Sequence, residues 1–264
     1  MNVDKFTITS YDELRGFDRQ TKTLEMVLDE LTDFTLSQEE EKTDITGKGG
    51  RVVSSLKKNK KVTGSGTNGF LCGGALAVQL GTDVEDNSDY IYNQREDIEV
   101  KGNKVTTLLK AEGTAGNEIG TVYVRDTDNV YISGGKKLTQ AASAEGLTTG
   151  KFAYNPTSKE LTFFEGDVAD GTIVTIFYDA KVEGRRIAND ADNYSKTLDV
   201  YIDVTCKDMC DKTFHGQFHI ERADFSGTFD ITGGSDPSTQ AFEFTSLPNL
   251  CTGKHLLWDF IVQD

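Results

Sequence analysis

Thr197-Leu-Asp-Val-Tyr-Ile-Asp-Val-Thr205 alternates apolar and polar residues without a break. Successive side chains of an extended chain point to opposite faces. Leu198, Val200, Ile202 and Val204 therefore share one face, and Asp199, Tyr201 and Asp203 the other. A period of two does not give a helix an apolar side, so the segment predicts a half-buried strand. Phe214-His-Gly-Gln-Phe-His-Ile-Glu221 reads as its antiparallel partner across the turn Cys206–Lys212. Asp224–Ile231, Thr239–Thr245 and Leu256–Val262 extend the series into an antiparallel meander with one packed face and one polar face. Glycine is abundant (26) and proline scarce (3), with 15 Phe and 9 Tyr in short alternating runs. That is the composition of a β protein with glycine turns.

Upstream, residues 22–36 fit either a helical face (Leu24, Val27, Leu28, Leu31) or strand alternation (Leu24, Met26, Leu28), and the Thr-rich end favours strand. Residues 70–80 read as a helix, with Phe70, Leu71, Ala75 and Val78 on one face and Gly81 as its C-terminal stop. Gly73 and Gly74 weaken it in isolation but permit close packing on a sheet. Between residues 89 and 180 short strands alternate with turns: Gly120–Arg125, Asn129–Ser133, Lys151–Tyr154, Glu160–Phe164 and Thr172–Tyr178. The expected organisation is residues 1–99, a β-rich insertion or sub-domain at 100–180, and a C-terminal meander at 181–264.

A chain of 264 residues buries about three quarters of its unfolded surface, enough to fold without a metal or disulfide. Its formal net charge is −15, from 43 acidic and 28 basic residues, which argues against nonspecific DNA binding, since phosphate neutralisation needs clustered cations. Met1–Ser10 has no apolar core of signal-peptide type, and no apolar run approaches the roughly 18 residues of a membrane span. The expectation is cytosolic assembly with reduced thiols.

One segment departs from the acidic background. From Asp44 through Thr46, Gly47, Lys48, Gly49, Gly50 and Arg51 to Lys57, Lys58, Lys60 and Lys61 it gathers six cations among glycines, directly after the acidic cluster Glu39-Glu40-Glu41. It has no helical period and suits a long hairpin or flexible arm. A cationic segment on an acidic protein calls for an acidic partner, and the nearest abundant one is another copy of the same chain.

The remaining constellations favour plain readings. Cys206, Cys210, His215 and His219 are zinc-binding residue types. Only four residues separate the two pairs, however, against about twelve in a Cys2His2 finger. On a strand the histidines would lie roughly 13 Å apart, so a solvated turn with two surface histidines is expected. Thr46-Gly-Lys-Gly-Gly-Arg51 lacks the Gly-Lys-Ser/Thr ending of a phosphate loop. Asp83–Asp86 and Asp126–Asp128 lack calcium-loop spacing. No nucleophile–base arrangement stands at a recognisable spacing, so neither an enzyme nor a cofactor is expected.

The segments Asp44–Arg51, Ser55–Lys60 and Ser65–Gly69, running into Gly-Gly-Ala-Leu-Ala, resemble the tail tube (major tail) proteins of tailed bacteriophages. So do Tyr194–Leu198, Asp208-Met-Cys-Asp211, Ala223–Phe229 and Gln240–Phe244. Together they cover about half the chain. The resemblance implies a mainly β fold: a β-sandwich or half-barrel with one flanking α-helix and a long stacking loop, forming rings and here carrying a β-rich insertion. It implies hexameric rings stacked through the 44–66 loop around a lumen that conducts the genome. It further implies tail sheath, terminator or baseplate proteins as partners, DNA passing without specific binding, and no membrane. Asp199, Asp203 and Glu221, with Asp29 and Asp33, are the acidic candidates for the lumen. The alternative function is a capsid decoration or tail-associated β-sandwich adhesion protein.

Overall fold

The computed structural model describes residues 5–125, 136–231, 237–250, 253 and 255–263. Its strands in chain order are β1 (Phe6–Asp18), β2 (Leu24–Leu28), β3 (Leu31–Thr46), β4 (Val52–Asn68), β5 (Glu85–Glu99), β6 (Lys104–Thr106), β7 (Ala111–Glu112) and β8 (Thr121–Val124). They continue with β9 (Lys137–Ala141), β10 (Lys151–Asn155), β11 (Glu160–Phe163), β12 (Ile173–Arg186), β13 (Thr197–Asp208), β14 (Thr213–Phe225), β15 (Gln240–Ser246) and β16 (Asp259–Val262). One helix, α1 (Gly73–Leu80), lies between β4 and β5. The chain divides into two compact units, Met1–Glu85 with Arg186–Asp264, and Asp86–Arg185.

The first unit is built on one sheet in the order β2-β1-β13-β14-β15-β4-β3, with β16 also pairing β14. The alternation in β13 sets its core: Leu198, Val200, Ile202 and Val204 are fully buried. The two ends of the strand order, β2 and β3, are joined by only Asp29 and Glu30. Tyr11 of β1 and Phe34 of β3 meet with ring centroids 5.1 Å apart, although four strands separate β1 from β3 in the sheet order. The sheet must therefore roll back on itself, giving a half-barrel. Register shifts in β1 at Ile8/Ser10 and Tyr11/Glu13 supply the local bending that bulges produce. Leu14, Leu28, Phe34, Ile220, Phe242 and Phe244 fill the interior with the β13 residues.

Several sequence expectations shift at their edges. Residues 22–36 form two strands, β2 and β3, rather than one. Phe70 and Leu71 precede the helix: Cys72 caps it in an extended conformation, and both residues are exposed. The stop at Gly81 holds; in the left-handed region (φ 69°) its N–H meets the carbonyls of Ala77 and Val78. A Cβ on Gly74 would lie 2.6 Å from the Glu25 carbonyl oxygen, so glycine there lets α1 seat against β2. Asp224–Ile231 is not a separate strand. β14 runs only to Phe225, and the Ser226 N–H then bonds the Glu243 carbonyl at 2.8 Å. The C-terminal strands also depart from a simple meander. β15 aligns with Ala223–Phe225 and β16 turns back to align with Gly216–His219, so the edge of β14 away from β13 serves two neighbours.

The second unit holds a sheet in the order β5-β12-β8-β9-β10-β11-β6, with β7 also on β12. β9 and β10 are parallel; the other pairings with a known register are antiparallel. Phe152, Leu161, Phe163, Ile176 and Tyr178 form its core. The Tyr178 hydroxyl, pushed up to about 12 by burial and by its hydrogen bond to Glu96, anchors the Leu109 N–H at 3.1 Å. The unit spans Asp86–Arg185, wider than 100–180, because neighbouring strands β5 and β12 carry the chain in and out. Asp126–Asp128, Asn129–Ser133 and Cys251 lie outside the described residues.

Candidate assembly hairpin and polar sheet face

The cationic segment forms the outer half of a hairpin made by β3 and β4. β4 has two parts. Val62–Asn68 lies between β15 and β3, aligned from Val62↔Ser246 to Asn68↔Gln240, and alternate residues there are buried. Beyond Val62 only β3 pairs it, from Glu39↔Lys61 to Thr46↔Val52. This outer ribbon runs for eight residues of β3, about 25 Å at roughly 3.3 Å per residue. None of its residues is buried. A 3₁₀ turn at Lys48–Gly50 closes it, with Gly49 and Gly50 at φ 78° and 77°. Two successive positive φ values are readily met only by glycine, which explains the Gly-Lys-Gly-Gly sequence.

Cross-strand pairs brace the ribbon. Lys57 Nζ is 2.8 Å from Glu40 and holds that carboxyl below its usual range. Asn59 Nδ2 donates to Glu41 at 2.9 Å. The register shift between Glu39 and Glu41 leaves Asn59 in the left-handed region at φ 51°. The acidic cluster thus pairs with the lysines of its own hairpin. Over Glu39–Lys61, seven cations stand against four anions, Lys42 being the seventh. The arm therefore carries a formal +3 and the rest of the chain −18. Exposed ion pairs are screened by water and contribute little, so the brace sets shape more than stability.

The arm also bears apolar side chains that its own chain leaves about half exposed. Ile45, Val52, Val53 and Leu56 are all exposed large hydrophobics near the tip. Opposing positions Thr43↔Leu56 and Ile45↔Ser54 put Ile45 and Leu56 on one face.

The outward face of β1, β13 and β14 holds three of the five acidic lumen candidates. Asp199 is nearly inaccessible at 4% exposure. It accepts hydrogen bonds at 2.8 Å from Lys22 Nζ and from His219 Nε2. Burial raises its pKa, but these two donors outweigh burial and hold it below the usual carboxylate value. Asp203 pairs with Arg15 and accepts from Gln217 Nε2 at 2.6 Å. Glu221 is half-buried on the same face, and its carbonyl accepts from Arg19 Nε at 3.3 Å. Asp29 and Asp33 lie elsewhere, exposed in the β2–β3 link and on β3 opposite Thr67. The face is therefore a charge-paired surface, with Arg15, Arg19 and Lys22 interleaved among the carboxylates. Sequence reasoning missed this because Lys22 and Asp199 are 177 positions apart.

His219 also differs from the surface histidine expected. It is half-buried, stacks on Tyr201 at 4.4 Å, and has Nδ1 3.3 Å from Asp259 Oδ1. Asp199, then Asp259 and Glu221, raise its pKa above 6.5 against the effect of burial. His215 pairs with Thr205 on the outward face, whereas Cys206 pairs with Phe214 and points into the core. The four zinc-type residues do not converge.

The YomU/Tube protein family matches the chain over residues 6–255, nearly its whole length. The chain belongs to this family. It is a phage-associated family of tube proteins, so the chain is a component of the virion. A search of curated proteins finds no match. Among the described residues no helix is long and apolar enough to cross a membrane.

Proposed function

We propose that this YomU/Tube family member is a structural, non-catalytic tail tube subunit that assembles with itself into stacked hexameric rings around the path of the phage genome. The observation that carries this reading is the projecting hairpin. A two-stranded ribbon of net +3, with four exposed apolar side chains in its outer part, extends from a chain that is otherwise −18. Such a ribbon gains little within its own chain, because an isolated two-stranded hairpin is marginal. It gains packing and charge pairing when it meets another copy. The acidic balance of the remainder suits a conduit. Repulsion acts over a screening length of about 8 Å at physiological salt and keeps DNA moving without a bound state. On this reading Asp33 offers uncompensated acid, while Asp199, Asp203 and Glu221 offer a paired, non-adhesive surface. Sheath, terminator or baseplate proteins would cap and surround the tube.

The test is electron microscopy of the purified chain beside a variant with the arm shortened symmetrically. Residues 42–57 are replaced by Asn-Gly, a two-residue hairpin turn that closes on the Glu41↔Lys58 pair. The expected result is tubes or six-fold rings for the full chain and no tubes for the shortened one, which still folds. A full chain that stays monomeric or trimeric at high concentration would instead favour a decoration or adhesion role.

A further inference from the structure

β4 is one continuous strand of 17 residues, about 50 Å long at roughly 3.3 Å per residue. One end lies in the hairpin tip. At the other, Asn68 Oδ1 accepts the Glu30 N–H at 3.1 Å and its Nδ2 donates to the Phe70 carbonyl at 2.9 Å. The Gly69 N–H donates to the Glu30 carbonyl at 2.8 Å. These three bonds pin the Gly69–Leu71 segment against the Asp29–Glu30 link. Phe70 is 68% exposed and Leu71 49%; Asp29 and Glu30 are exposed beside them. This end of the unit thus presents two apolar side chains next to two carboxylates. The tip presents Ile45, Val52 and Val53 next to Lys48 and Arg51, with Leu56 further down the ribbon opposite Thr43. The two patches match in apolar character, oppose in charge, and sit at opposite ends of the same strand.

We infer that the hairpin tip of one copy docks head to tail on the Gly69–Leu71 segment and the Asp29–Glu30 link of the next copy. This rests on the self-assembly reading and adds the receiving surface to it. A contact between two different patches is heterologous and repeats along an axis unless rotation closes it. The length of β4 then limits the axial repeat to about 50 Å. Asp29 in this arrangement binds a neighbour and does not line a lumen.

Four full-length variants test the docking: K48E/R51E at the tip, F70S/L71S and D29K/E30K at the receiving surface, and the combined charge swap D29K/E30K/K48E/R51E. All altered side chains are exposed, so circular dichroism and melting should match the native chain. Each of the first three should slow tube elongation at least about tenfold, as loss of interface anchors does, and the combined swap should restore growth. Mixing K48E/R51E with F70S/L71S should yield assemblies that stop at two layers. If both receiving-surface variants elongate normally while K48E/R51E fails, or if the charge swap does not rescue, the assigned surface is wrong although self-assembly stands. If no variant, the tip included, alters elongation, the hairpin reading itself falls.

Discussion

Replacing Val53 and Leu56 with threonine separates what the hairpin does for its own chain from what it does for a neighbour. Val53 is 62% exposed and Leu56 58%. Full burial of such side chains is worth about 1.5–3 kcal/mol each, so a partner can still gain roughly 1–2 kcal/mol from each. Threonine keeps the branched shape that strands prefer and gives up about 1 kcal/mol of that gain per site. The pair should therefore weaken each docking contact by about 2 kcal/mol, near thirtyfold at about 1.4 kcal/mol per factor of ten. The folded subunit should barely notice, because exposed substitutions usually fall within about 0.5 kcal/mol. The assay is the lowest concentration that yields sedimentable tubes, measured beside thermal melting. A thirtyfold rise with a melting shift under about 2 °C is expected. Assembly at the native concentration, or a melting temperature lower by more than about 5 °C, would refute the reasoning. The first outcome would mean that no neighbour covers the tip; the second, that its own chain does.

Gly64→Val should destabilise the first unit by about 1–3 kcal/mol, the cost of overpacking, read as a lower melting temperature. Even a Cβ there would sit 2.2 Å from the buried Phe244 ring. His219 should make stability depend on pH. Its raised pKa contributes stability that is complete below 6.5 and lost as pH rises through the folded value. Asp199, held low, contributes stability present above 3.8 and lost as pH falls through its lowered value. Melting temperature should therefore decline between pH 6 and pH 9 more steeply in the native chain than in His219→Gln; equal slopes would remove His219 from the stabilising pair. Asp199→Ala should destabilise more than Asp33→Ala in chemical unfolding, since Asp199 alone of the two leaves partners unpaired at a nearly inaccessible site.

Much of the fold follows from local patterns. Alternation in β13 put four side chains in the core, because a period of two admits no other amphipathic solution. Gly81 ended α1, because only a residue tolerant of positive φ closes a helix that way. The arm was visible as a cationic, glycine-rich run lacking any period. Contacts formed by distant residues were not visible. Phe70 and Leu71 fit the helical spacing, yet the backbone stays extended through Cys72, where its N–H meets the Gln240 side chain at 2.7 Å. The lumen candidates were chosen by charge, whereas the cations that pair Asp199 and Asp203 come from β1 and the turn after it. The roll of the sheet depends on the β2–β3 link and on Tyr11 meeting Phe34, neither of which leaves a local signature.

A cryo-EM reconstruction of the assembled chain tests the central claim most directly. The claim predicts six-fold rings in which density for Glu39–Lys61 leaves its own subunit and lies on the ring beside it. Rings, or any other assembly, in which that hairpin lies folded against its own β-sheet would contradict it.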